Sequence, residues 1–393
     1  MREIKILSEN PIEQIWLHLS KWESKTLALR LIRERANESG EALDEERADA
    51  KAQGLAYCLR NAREYLRDPA ASWNKRLLNG YYGLMSLVGA IMIADPRNDY
   101  DLAKFELAAK MGHGLNNVDD PHTPFPDAQK VYVTEDGLLV RYLASLGVSN
   151  RDLKLGRKDA ERVLGTPDPR LMSLDTLLAS IPELHDLYFD VTGRQPLSVG
   201  VFFHSDLNWN SARGDEGGDL VGEFLRAIRL FDASVEEPDR GVWLGLRSNA
   251  AFDEHAARSQ FRLPFEKYQT YRDDHDGREY LAGFLPTSSS ANWKSSTGAY
   301  GSAMADTVYA APLVGRITDT IAVHYCLMYA LSIIVRYRPS LWREISEGRH
   351  DDYFALIKYY FEAFVRVVPE LALARIAAAS VHAFQPGSLH APS

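Results

Sequence analysis

Two uncharged runs limit most sharply what this chain can fold into. LLNGYYGLMSLVGAIMIA occupies 77–94, and HYCLMYALSIIVRYRPSLW begins at His324, its apolar part running over 321–335. As a helix the first run is roughly 27 Å long, and a bilayer crossing takes about 20 predominantly apolar residues. The first carries Asn79, Tyr81, Tyr82 and Ser86, and the second carries His324. Length and polar content together predict two helices buried on several faces in a protein core, with no membrane span. A stripe of Asn79, Gly83, Ser86 and Ala90 on the first helix would let another backbone approach closely.

Composition agrees with a globular chain of two or three domains, or one body with an insertion. Of 393 residues, 46% are hydrophobic and 25% charged. The net charge of -9 excludes whole-surface attraction to nucleic acid or an anionic membrane. Two cysteines, Cys58 and Cys326, exclude a disulfide scaffold and a cysteine metal cluster. The start MREIKILSENP has no apolar signal region, which leads to the expectation of a reduced, cytoplasmic protein.

Periodicity divides the chain into helical, mixed and helical parts. Apolar residues at helical spacing predict helices over 10–34, 42–67 and 73–94, then LAKFELAAKM, stopped at Gly112 and Gly114. In DAQKVYVTEDGLLVRYLASLG (127–147) a DG pair between apolar runs predicts a hairpin. Short helices separated by prolines follow over 166–193. Strands are expected at LSVGVFFHSDL (197–207), GVWLGLRSN and EYLAGFLP, a turn at RGDEGGD (213–219) and a helix at 220–231. The Ser/Thr/Gly-rich stretch 287–302 reads as a loop, and helical pattern returns from about Leu313 to Ala379. The expected fold is a mostly helical α+β protein. Its blocks are an N-terminal helical block (1–120), a mixed α/β insertion (121–310), a C-terminal helical block packing with the first (311–383) and a tail (384–393).

Tyr325, Tyr329, Ser332 and Arg336 follow at intervals of four, three and four, so they share one helix stripe. That stripe either closes a buried hydrogen-bond network or holds an anion at a cleft. YYGLMSLVGAIMIADP, GHGL, VYVTEDGLL and HYCLMYALSIIVRYRPSLW, in that order, resemble the YaaC-like family, an uncharacterised bacterial group. The resemblance covers 150 to 180 residues and leaves 150–310 unmatched. It implies a soluble bacterial protein and supplies no reaction. The acidic NNVDDPHTP after the HG pair departs from a more basic family pattern.

Chemistry-bearing residues are sparse. His113, Asp119, Asp120 and His122 lie close in HGLNNVDDPHTPFPD and are of metal-ligating type; His204 and Asp206 offer a second, thinner set. No H-E-x-x-H, dinucleotide, P-loop or G-x-S-x-G motif occurs, and Lys294 in the serine-rich loop has no elbow around it. The helical blocks look in a general way like HEPN-type proteins, in which an Arg precedes a His by a short interval. Arg343/His350 and Arg375/His382 both fit; Arg343 would stabilise phosphorane charge and His350 would move the proton. The reading from sequence is an interaction or regulatory module in bacterial stress or defence. It has a protein partner or forms a homo-oligomer and needs no cofactor. The alternative is a HEPN-like metal-independent ribonuclease acting on RNA.

Overall fold

The computed structural model describes residues 2–68, 72–149, 151–203, 241–246, 249–258, 267–272, 279–286, 300–302, 308–309, 317 and 319–385. Two compact units result, Met1–Leu178 with Ile321–Ser388, and Ala179–Thr320 with Leu389–Ser393. The architecture is the mostly helical α+β arrangement expected, with packed N- and C-terminal helical blocks and a mixed middle of antiparallel sheets.

The first unit opens with β1 (Arg2–Leu7), α1 (Pro11–Ser20), α2 (Lys25–Ser39), α3 (Glu45–Leu66), α4 (Trp73–Ala94) and α5 (Leu102–Lys110). Side-chain oxygens of Asn10, Asp44, Ser72 and Asp101 accept amides in the first turns of α1, α3, α4 and α5, which fixes where each helix starts. Next come β2 (Leu115–Asp119), β3 (Gln129–Val133), α6 (Leu138–Ser145), α7 (Arg157–Arg162), β4 (Met172–Ser173) and α8 (Leu174–Ala179). The second unit holds α9 (His185–Thr192), β5 (Gly200–Phe203), β6 (Gly241–Leu246), α10 (Ala250–Arg258), β7 (Lys267–Arg272), β8 (Glu279–Pro286), β9 (Tyr300–Gly301) and β10 (Val308–Tyr309). The chain then returns to the first unit as α11 (Thr320–Tyr337), α12 (Pro339–Ser346), α13 (Asp351–Ala377) and β11 (Ala379–Phe384).

The two uncharged runs become α4 and α11. Both are long and apolar enough to cross a membrane, yet 72% and 78% of their apolar windows are buried inside the fold, so they are core helices. Small residues set the packing distance. A Cβ on Gly80 of α4 would lie 2.7 Å from Met328 of α11 and 2.8 Å from Phe361 of α13, so three helices meet there. One turn on, Gly83 admits the Leu66 side chain of α3.

Buried cations then tie helix ends together. Arg35 donates to the Ala94 carbonyl (2.8 Å) and the Ile376 carbonyl (3.1 Å), joining the ends of α4 and α13. The Lys51 ammonium, 1% exposed, donates to the carbonyls of Ile93, Asp95 and Tyr100 and to Asn98 Oδ1 over 2.8–3.2 Å. These are carbonyls that the end of α4 and the following turn leave without helical partners.

Two sequence expectations are corrected here. The 127–147 segment is no hairpin: β3 ends at Val133, and LLVRYLAS is α6, burying Leu138, Leu139, Tyr142 and Leu143 at helical spacing. The DG pair turns strand into helix, with Gly137 at φ 127°, and β3 pairs instead with β2 and β4. The C-terminal helical pattern ends at Ala377, and 379–384 forms a strand parallel to β1, Ile4 opposite Val381. Neither six-residue strand stands alone in the sequence; each exists because the chain's two ends meet.

In the second unit the strands order as β7-β8-β6-β5-β10-β9, all antiparallel, with Trp243, Ala282 and Phe284 packed together. GVWLGL and EYLAGFLP are strands as expected, and β5 covers Gly200–Phe203 of the segment read as 197–207. The turn at 213–219, the helix at 220–231, most of the serine-rich loop with Lys294, the end of the tail, and His204 with Asp206 lie outside the described residues.

Candidate functional site

The site grows from the GHG turn after α5. Gly112 (φ 113°) and Gly114 (φ 78°) take backbone conformations that place His113 between them. The turn is pinned on both sides. Leu138 and Leu139 open α6, and their amides, which have no intrahelical acceptor, donate to the carbonyls of Gly112 (2.9 Å) and His113 (3.1 Å). Thr134 donates to the Gly114 carbonyl at 3.1 Å, and the buried Tyr325 hydroxyl donates to the His113 carbonyl at 3.2 Å.

The His113 imidazole sits edge-on to Tyr81 (5.4 Å between centroids) and against Tyr329 (5.5 Å). Tyr81 donates to Tyr325 at 3.4 Å. Burial raises all three phenols, Tyr329 to about 12, so each remains a neutral hydroxyl at any physiological pH. Burial first, and the charge of Arg336 second, lower the His113 pKa and hold the ring neutral. Its Nδ1 is buried and has no hydrogen-bond partner.

The helix stripe read from the sequence is therefore divided in its roles. Tyr325 closes the buried network. Ser332 donates to the Tyr329 carbonyl (2.8 Å) and receives Arg336 Nη2 (3.1 Å), while Arg336 Nε donates to the Ser332 carbonyl (3.2 Å). Tyr329 and Arg336 lie on the His113 side.

A cleft of about 440 Å³ opens beside His113, lined by His113, Leu115, Asn116, Tyr132, Thr134 and Leu155 among others. Tyr132, on β3, is 1% exposed, and its hydroxyl has no hydrogen bond of good geometry, only the side chain of Asn116 lying close enough to act on it. Its cross-strand neighbour Asn116 spends its carbonyl oxygen on the Asn117 amide at 2.9 Å. Two buried polar atoms, His113 Nδ1 without a hydrogen-bond partner and Tyr132 Oη with only Asn116 beside it, thus belong to residues on the walls of one cleft. Sequence reasoning singled out His113 but gave Tyr132 only a place in a strand. The available signal was a phenol in the buried VYV strand, which needs a partner for its O–H.

The other sequence-derived residues are not drawn together. Asp119 pairs with Arg338. Asp120 accepts from Lys130 (2.6 Å), from the His122 amide and from the Gly165 amide; burial would raise its pKa, but these donors hold it below the usual carboxylate range. The exposed His122 ring lies over Gly165. Among the described residues no group of three or more His, Cys, Asp or Glu is placed to hold a metal ion.

Arg343 is exposed on α12, while His350 precedes α13 with its ring 4.3 Å from that of Phe125. Among the described residues no hydrogen bond or ion pair joins them. Of the second pair, Arg375 donates to the Tyr142 hydroxyl and His382 falls on β11, so the spacing crosses from helix to strand.

The family model of the YaaC-like protein matches residues 20–376. The chain belongs to the YaaC-like family. No curated protein and no solved structure matches it. The matched span of this YaaC-like protein takes in every residue of the cleft wall and the Tyr325–Arg336 stripe, so the site is built within the family's own segment.

Proposed function

We propose that this YaaC-like protein is a cytoplasmic regulatory module that binds a small polar molecule in the His113 cleft and passes that state on by protein contact. One observation carries the reading: His113 Nδ1 is buried without a hydrogen-bond partner, and Tyr132 Oη is buried with only Asn116 near it, both on residues that line one cleft. Leaving a buried polar atom unpaired costs about 1–3 kcal/mol, which favours a ligand group that reaches these residues from the cleft. The neutral imidazole and neutral phenols offer donors and acceptors for binding. For onward contact, Tyr57, Tyr65 and Tyr82 are exposed, with the Tyr65 and Tyr82 rings 5.8 Å apart, and tyrosine is enriched at protein interfaces.

A thermal-shift screen of the full chain against small metabolites tests the reading. At least one compound raises the melting temperature of the wild type and raises that of Tyr132→Phe less. A screen in which nothing shifts the wild type, or in which every shift is equal in Tyr132→Phe, overturns it. RNA incubated with the protein in EDTA stays intact; cleavage abolished by Arg343→Ala and His350→Ala would establish the ribonuclease reading instead.

A further inference from the structure

We propose that β1 is a dimerisation edge. Two copies of this chain join by antiparallel pairing of β1 with β1 about Ile4, which makes one four-stranded sheet in the order β11-β1-β1-β11. The inference does not depend on the cleft being a ligand site.

A strand with a neighbour on one side only turns backbone donors and acceptors outward on the other, and such an edge is a template for a further strand. Among the described residues β1 (Arg2–Leu7) pairs with β11 alone, in parallel, and no backbone hydrogen bond reaches its other side. A ladder of two strands is marginal by itself, and parallel strands are ordinarily covered on both faces. Here one face is covered and the other is open. Ile6 is 4% exposed, whereas Glu3, Lys5 and Leu7, which alternate with it, are exposed; Ile4, on the face of Ile6, is only partly buried. The edge holds no proline and no bulge that would block a newcomer.

Charge then selects the newcomer. Residues directly opposite in an antiparallel pair both turn their backbone groups toward the shared side or both turn them away. Two copies of β1 therefore pair only with odd positions opposite odd and even opposite even. Centring on Glu3 sets Glu3 against Glu3 of the second copy, and centring on Lys5 sets Lys5 against Lys5, both repulsive. Centring on Ile4 sets Glu3 against Lys5 of the second copy and Lys5 against Glu3, with Ile4 against Ile4 on the other face. Registers centred nearer the strand ends overlap fewer residues. Glu3 and Lys5 already pair within one copy at 3.4 Å, so the dimer carries four charges of alternating sign along its open face. The pattern is self-complementary, which is what a two-fold interface requires. The strand ASVHAF of β11 carries no acid and no Lys or Arg that would set a register of this kind.

Sedimentation of the full chain from about 1 to about 200 µM, the range in which a small interface assembles, tests this. The wild type passes from monomer to a species of twice the mass. Glu3→Lys and Lys5→Glu each place like charges opposite one another in the self-pair, and each weakens self-association about tenfold or more. An equimolar mixture of the two variants restores the dimer, because every lysine of one then faces a glutamate of the other, and restoration shows that both variants are folded. The double variant Glu3→Lys/Lys5→Glu dimerises by itself as the wild type does. A wild type that stays monomeric across the range, a dimer that neither single variant weakens, or a mixture that associates no better than its components overturns the proposal.

Discussion

Lys51→Met removes one ammonium and leaves four oxygens behind. In the wild type that ammonium, 1% exposed, is the common donor to three carbonyls and one amide oxygen around the end of α4. Methionine is close in length, so the change reads the charge and its hydrogen bonds more than packing. Hydrogen bonds to charged groups contribute about 1.5–3 kcal/mol each, offset here by the cost of burying the charge. Burial lowers the Lys51 pKa from 10.5 to about 8, and at about 1.36 kcal/mol per pH unit that opposing cost is roughly 3 kcal/mol at neutral pH. The net expected loss in Lys51→Met is about 3–5 kcal/mol, the usual result of removing one partner from a buried charged contact. Urea unfolding across pH checks both parts. Between pH 8 and 10.5 the unfolded chain holds more protons on Lys51 than the folded chain, so its contribution to stability rises with pH. The gap between wild type and Lys51→Met therefore widens across that window. A gap under about 1 kcal/mol at neutral pH, or one that narrows as pH rises, would refute the reasoning.

Glu370 on α13 has a buried Oε2 without a partner, and burial raises its pKa from 4.5 to about 8. Between those values the folded chain holds the extra proton, so wild-type stability falls relative to Glu370→Gln as pH rises from 4.5 to 8; chemical denaturation at several pH values reads the difference, and a flat difference contradicts it. Gly137→Ala puts a Cβ 2.3 Å from the Gly114 amide nitrogen at φ 127°, which should cost at least about 2 kcal/mol and weaken ligand binding by moving the His113 turn. An Ala variant of unchanged melting temperature would show that the turn yields easily.

The core helices were legible because burial leaves a long-range mark on composition. Eighteen uncharged residues with scattered small and polar groups have few homes other than a protein core, and α4 and α11 are there. Local turn chemistry was a poorer guide. Asp136–Gly137 followed the hairpin rule, but the rule says nothing of what comes after the turn, and Leu138–Ser145 had apolar spacing that suits a helix buried on one face. The β1–β11 pair escaped because its partners stand at opposite ends of the chain. The stripe of Tyr325, Tyr329, Ser332 and Arg336 was visible from helical phase alone. What it faces was not, because His113 reaches it through tertiary packing of the GHG turn. Proximity in sequence misled for Asp119, Asp120 and His122, whose side chains engage Arg338, Lys130 and the backbone near Gly165 instead of one another.

The central claim is that the Tyr132 hydroxyl is kept for a ligand, and its most direct test is the stability of Tyr132→Phe with nothing bound. A buried hydroxyl that gains no full hydrogen bond from its Asn116 neighbour contributes little to folding, so the account predicts a ligand-free variant as stable as the wild type, or more stable by up to about 1 kcal/mol. A loss of more than about 1 kcal/mol in urea unfolding would mean that the hydroxyl is already satisfied within the protein, and would contradict the account.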